Sequence, residues 1–201
     1  MIRLFGSKIY ISIFVPLTVC VMCISPDAPL FFIALLGAVF HELAHIFAMK
    51  MFGAKIFRIS VYPFGADINA DMSAIAYRKE AAVYLSGPFI SLVLALTAFL
   101  LFALYGGMYV LSFALSNSVF FFVNILPVKG LDGGRALWCI LCAKCGVVCA
   151  ERVYSFVTTL FFGVLCAMAL ALLFASGYNL SLLFVCAYLF LSEYVRQRLC
   201  L

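Results

Sequence analysis

The sequence predicts an all-α integral membrane protein: a six-transmembrane-helix bundle with a short membrane-associated β-hairpin between helices 2 and 3. Three observations predict it. Of 201 residues, 68% are hydrophobic and only 10% charged, too little polar surface to clothe a soluble monomer. The apolar residues fall in runs near the ~20 residues that cross the hydrocarbon core of a bilayer. With an inside N-terminus and six crossings, all 13 basic residues fall on one side, which the positive-inside rule makes the cytoplasm. The formal charge of +5 is therefore a topology signal, and nucleic acid is excluded as a partner. The lipid bilayer takes its place. Nine cysteines sit in or beside apolar runs, the pattern of reduced thiols and not of a disulfide framework.

Taken in order, the basic start MIRLFGSK leads into an apolar stretch, Ile9–Ile24. No small-x-small cleavage site closes it, so it is expected as a retained first span and not as a signal peptide. Ser25-Pro26-Asp27-Ala28-Pro29 turns the chain into a second span ending near Phe52. The stretch from Gly53 to Met72 is too polar to cross, and its β-branched and aromatic residues flank Pro63-Phe64-Gly65. That pattern predicts a short hairpin over 54–72. The third span runs from about Ala81 to Leu104, interrupted early by Ser86-Gly87-Pro88. Gly106-Gly107 turns into the fourth span, Met108 to about Leu126. A polar, Gly-rich stretch and a Cys-rich segment follow, then the fifth span, Val153–Ala175, and the sixth, Leu180–Tyr194. Both termini are expected in the cytoplasm.

The second span carries His41-Glu42-Leu43-Ala44-His45, which contains both histidines of the chain. On a helix, residues i and i+4 stand about 40° apart around the axis, so the two imidazoles share a face. That is the bite one Zn²⁺ needs, and Glu42, one step round, can reach a water on the metal. Each charged group in such a run costs about 2.5–3.5 kcal/mol on insertion scales, so three ionisable groups there call for a functional explanation.

Two histidines leave zinc short of the three protein ligands of a catalytic site. Among the eight acidic residues, Asp132 stands out. It opens Asp132-Gly133-Gly134 just after the fourth span, where glycines allow close backbone approach and Pro127 stops the helix from running on. The residue types allow a second reading, an Asp that caps the next helix. His45 and His41 lie ~8 Å and ~14 Å above Lys50 along the helix axis, so the centre is expected nearer the cytoplasmic face. Asn124 has two readings as well: a donor to a developing oxyanion, or a hydrogen bond between helices.

His-Glu-Leu-Ala-His in the second span, Ser86-Gly87-Pro88 in the third, and Asn124-x-x-Pro127-x4-Asp132-Gly133-Gly134 after the fourth resemble the site-2 protease family of intramembrane zinc metalloproteases. The resemblance covers the second span through about Arg135. It implies one Zn²⁺ per chain on His41, His45 and Asp132, with Glu42 as the catalytic base. It also implies regulated intramembrane proteolysis of a membrane protein or a membrane-associated pro-protein, with room for a membrane regulatory partner. The six-span layout is most similar to the compact branch that includes the sporulation protease of endospore formers, which cuts a membrane-associated pro-sequence from a sigma factor. One intramembrane metalloprotease domain is expected over 1–201, with no C-terminal CBS domain and no PDZ domain. Ser91 stands near where many relatives have Asn after Gly-Pro, and Lys129-Gly130 replaces residues that are more often apolar or proline.

Two other function classes compete. A catalytically inactive scaffold could bind substrate helices with the same fold, though it would have no need of Glu42. An iron–sulfur protein could use Cys139, Cys142, Cys145 and Cys149, whose C-x2-C-x2-C-x3-C spacing matches a cluster run. Ala150 replaces the proline that ends that pattern. The segment also reads as a helix, where such thiols serve as small packing residues. A membrane protease acting on soluble or prenylated chains is disfavoured by the hairpin and by Leu-Asp-Gly-Gly.

Overall fold

The computed structural model describes residues 2–4, 7–62 and 65–176. The chain divides into two compact units, 1–123 and 124–201, and each is described on its own.

In the first unit, strands β1 (Ile2–Leu4) and β2 (Ser7–Ile11) are followed by helices α1 (Phe14–Ile24) and α2 (Ala28–Met51). Strands β3 (Lys55–Tyr62) and β4 (Gly65–Asp71) come next, then α3 (Tyr77–Tyr105) and α4 (Met108–Asn124, whose last residue opens the second unit). The hairpin expected over 54–72 is present as β3 and β4, paired antiparallel from Lys55↔Asp71 to Tyr62↔Gly65. The register shifts between Ile56 and Arg58, and the bulge leaves Phe57 and Arg58 both exposed on successive positions.

The hairpin is not alone. β2 pairs parallel to β3 (Ile9↔Ile59, Ile11↔Val61) and antiparallel to β1, giving one four-stranded sheet in the order β1-β2-β3-β4. This corrects the expected first span. Ser7–Ile11 are drawn into the sheet, and Ser12 extends the pairing through its N–H to the Val61 carbonyl at 3.0 Å. What remains is an 11-residue helix, ~16 Å long and shorter than the ~20 residues of a full span. The alternation Lys8-Ile9-Tyr10-Ile11 suits a strand once β3 supplies an edge.

Three helices among the described residues are long and apolar enough to cross a membrane. They are α2, α3 and the Val147–Ala171 part of α6, with mean hydropathies of 1.9, 2.3 and 2.0. α4, at 17 residues, sits at the short limit of a span. The expected sixth span, 180–194, lies outside the described residues, so six crossings are not what the structure displays. The protein is mostly helical and integral to the membrane. Phe47, Phe89, Leu96, Leu100 and Phe122 are exposed along its apolar helices, as lipid-facing side chains are.

α2 begins with Pro29 in its first turn, where the missing N–H costs no helical hydrogen bond. Its cytoplasm-expected end joins the sheet through a small core. Ala48, Met49 and Val83 are buried there, with Ile56, Ile68, Ala70 and Met72 packed against them. This core ties α2 and α3 to the hairpin and so fixes what surrounds the histidines.

In the second unit, Asn124 closes α4 and a loop leads to α5 (Asp132–Cys145) and α6 (Val147–Ser176). The fifth span therefore starts earlier than the expected Val153. Gly146, at φ 76°, divides α5 from α6, so the cysteine run is split between two helices. Trp138 of α5 meets Tyr154 of α6 edge-on at 5.4 Å, and Lys129 Nζ lies 5.8 Å from the same tyrosine ring.

Candidate metal centre

Helix α2 places His41 and His45 one turn apart on a single face, and both are buried, each 6% exposed. Their rings meet at 76° with centroids 5.0 Å apart, and Phe120 of α4 flanks His41 at 6.4 Å. The two Nε2 atoms are 3.3 Å apart. Helix α3 holds the other nitrogens. His45 Nδ1 is 2.9 Å from the Val83 carbonyl oxygen, and His41 Nδ1 is 2.9 Å from Ser91 Oγ. A carbonyl only accepts, so His45 Nδ1 is the protonated, donating nitrogen and Nε2 carries the lone pair.

Those distances can be set against a metal. Two nitrogens on one tetrahedral zinc at Zn–N ≈ 2.0–2.1 Å stand about 3.3 Å apart. The observed Nε2 separation matches. Orientation of ligating imidazoles through their second nitrogen is also how zinc histidines are held. The residues fit the group.

Gly87 explains why the imidazoles have room. A Cβ at this position would collide with His45 Nε2 and His41 Nε2. Val83, Gly87 and Ser91 recur every four residues on α3, forming one buried stripe against the histidine face of α2. Pro88 follows Gly87 inside the helix, and Ser86 Oγ donates to the Val83 carbonyl at 2.7 Å, a partner for a carbonyl that already receives the imidazole.

Glu42 is half-buried beside the pair. The Ala66 N–H of β4 donates to its Oε1 at 3.3 Å. The outer edge of β4 therefore faces the turn of α2 that carries Glu42, and β4 has no further strand beside it among the described residues.

The second unit contains the two remaining predicted residues. Asn124 is the last residue of α4. Asp132 is the first residue of α5, with Leu131 in the cap position and no side-chain cap bond there. The alternative reading of Asp132 as the helix cap is thus corrected. The adjacent glycines are needed for packing: a Cβ on Gly133 would strike the Ile125 carbonyl, and one on Gly134 the Val128 carbonyl. The loop after α4 is in this way folded back onto the first turn of α5, holding Asp132 at its head.

The cysteine run does not form a cluster site. Cys139 and Cys142 are buried on α5, while Cys145 and Cys149 are exposed. Among the described residues no three of these thiols converge closely enough to share a metal. The Cys145 thiol donates to the Leu141 carbonyl at 3.2 Å, and the neighbouring Cys149 thiol pushes the Cys145 pKa up.

Sequence reasoning passed over Val83, the steric role of Gly87, the Ala66 amide and the contact of Ser91. Gly87 gave a signal as part of Ser-Gly-Pro, and Ser91 as a departure from the relatives. The carbonyl and amide gave none, because every residue has them.

A helical membrane protein with a buried HExxH pair, a carboxylate beside it and a strand edge at that carboxylate has the layout of a membrane metallohydrolase. Comparisons with known proteins agree. Residues 30–111 match the model of Peptidase family M50. A curated zinc metalloprotease of Methanocaldococcus jannaschii is 30% identical over 131 residues, 63% of this chain. The matched part spans 38% of that relative's own length. The structure of the site-2 protease from the same organism superposes with a TM-score of 0.69 at 23% identity, covering 95% of this chain and 91% of that one. The fold is that of a site-2 protease, and the resemblance carried by the motifs is borne out: the chain is similar to the zinc metalloproteases of this family.

Proposed function

We propose that the protein is an intramembrane zinc endopeptidase, hydrolysing a peptide bond in or near a transmembrane or membrane-associated segment of its substrate. The observation that carries this reading is the histidine pair. Two buried Nε2 atoms stand 3.3 Å apart, with both Nδ1 atoms held from α3 and Glu42 alongside.

His41 and His45 hold one Zn²⁺ per chain, and Asp132 is the third ligand. Bound zinc supplies Lewis-acid chemistry, polarising a carbonyl and bringing the pKa of a water towards ~7. Glu42 takes the proton from the attacking water and passes it to the leaving amine. The Ala66 amide keeps that carboxylate aimed. Asn124 donates to the oxyanion as the carbonyl becomes tetrahedral.

Helical substrates keep their peptide groups internally bonded, so they must unwind locally to be cut. The outer edge of β4 gives the unwound segment a strand to pair with, beside Glu42. Basic residues on one side of the spans put both termini, and the active site, towards the cytoplasm. Release of a sigma factor from its membrane-associated pro-sequence during sporulation is the narrower form of this reading, with a membrane partner as its regulator.

The test uses detergent-purified chain and a tagged reporter with one apolar segment, with the wild type required to cut it. Glu42→Gln should retain about one zinc and lose at least about 100-fold in cleavage, within the range attributed to a general base. Cleavage by Glu42→Gln at the wild-type rate sinks the mechanism. Zinc retained by a wild type that cuts no membrane segment would favour the scaffold.

A further inference from the structure

We infer that Ser91 is a positioning residue of the metal centre: its hydroxyl holds His41 by Nδ1 and so presents Nε2 to the metal. The inference rests on the zinc reading above. It starts from where the helical hydroxyls of this chain spend their hydrogen bonds. Thr97 bonds the Val93 and Leu94 carbonyls, Ser112 that of Met108, Ser116 that of Ser112, Ser118 that of Ala114, and Thr158 those of Tyr154 and Ser155. Each turns back onto its own helix, the usual habit of such side chains. Ser91 differs. Its Oγ reaches across to α2 and lies 2.9 Å from His41 Nδ1.

The side chain is fully enclosed, at 0% exposure, so no bulk water can take over this bond. An imidazole ring turns about its last torsion unless its second nitrogen is held, and ligand orientation is lost when that nitrogen is released. The opposite ligand is held by a main-chain group, the Val83 carbonyl, which no substitution removes. His41 Nδ1 meets a side chain instead, Ser91, eight residues further along the same stripe of α3. The centre is therefore built asymmetrically. One ligand is held chiefly by a main-chain carbonyl at 2.9 Å, with Ser86 Oγ farther off at 3.4 Å, and the other is held at Nδ1 by a replaceable hydroxyl at 2.9 Å.

Both orienting groups are uncharged. A carboxylate in place of Ser91 would make the imidazole a stronger donor to the metal and weaken its Lewis acidity, whereas a hydroxyl, which can donate to Nδ1 or accept from it, adds no negative charge when the metal occupies Nε2.

The experiment measures zinc affinity by chelator competition on detergent-purified full chain, for wild type, Ser91→Ala and Ser91→Cys. The thermal midpoint of each zinc-free protein and the visible spectrum of its cobalt(II) form are recorded alongside. Ser91→Cys keeps the volume but replaces the strong acceptor with a weak one. The expected result is zinc binding about 10–100-fold weaker in both variants, an altered cobalt spectrum, and zinc-free midpoints near that of wild type. Wild-type affinity in Ser91→Ala overturns the inference. So does wild-type affinity in Ser91→Cys, since packing volume would then be the whole role. A wild type that binds no zinc removes the metal reading itself, a result distinguishable from either.

Discussion

Gly87 on α3 lies so close to the imidazole of His45 on α2 that a single added methyl group would clash with His45 Nε2 and His41 Nε2. The histidine face of α2 depends on a missing side chain in its neighbour.

Gly87→Ala is accordingly expected to reduce zinc occupancy more than tenfold, because overpacking of a close contact forces the rings off their positions at about 1–3 kcal/mol. Gly163→Ala on α6 is the control. Nothing lies within 4 Å of a Cβ there, and alanine is the better helix former by up to ~1 kcal/mol. Zinc content by elemental analysis of both variants checks the contrast.

Ala66→Pro tests the strand edge. Proline removes the N–H that meets Glu42 Oε1, yet an outward-facing position on an edge strand accepts it. Cleavage of the reporter should fall about tenfold, a loss of ~1.4 kcal/mol, typical of one hydrogen bond to a charged group. Zinc content should stay at the wild-type level. Unchanged cleavage would remove β4 from the mechanism.

Gly133→Ala and Gly134→Ala each drive a methyl group into a loop carbonyl, of Ile125 and Val128 respectively. Either is expected to lower stability by about 1–3 kcal/mol, read as a drop in the thermal midpoint. If Asp132 is the third ligand, zinc affinity falls with it, and Asp132→Ala should lose zinc without the steric penalty.

The cysteines give a pH-dependent prediction. The neighbouring Cys149 thiol raises the Cys145 pKa, so less Cys145 is thiolate at neutral pH than in an isolated thiol. Cys149→Ala should lower that pKa and speed alkylation of Cys145 by iodoacetamide near pH 7.5, where thiolate is the reacting form. Cys139 and Cys142, both buried, should remain protected until the chain unfolds. Slower alkylation of Cys145 in Cys149→Ala would contradict the assigned cause.

Much of this molecule follows from the sequence by itself. The length and apolarity of α2, α3 and α6 make them long and apolar enough to span, and the bilayer demands both. Helical periodicity alone puts His41 and His45 on one face with Glu42 beside it, and the Pro-Gly turn announces the hairpin. These are local properties, set by residues a few positions apart. Tertiary structure decided what depends on distant partners. Ser7–Ile11 look like the start of a span until β3, far along the chain, offers them an edge. The Nδ1 atoms of the two histidines are held by Val83 and Ser91 on another helix, and Glu42 meets the Ala66 amide. Two of these groups, a carbonyl and an amide, have no distinguishing letter in a sequence. Only packing gives them a role, because hydrogen bonds and excluded volume act between atoms that folding brings together.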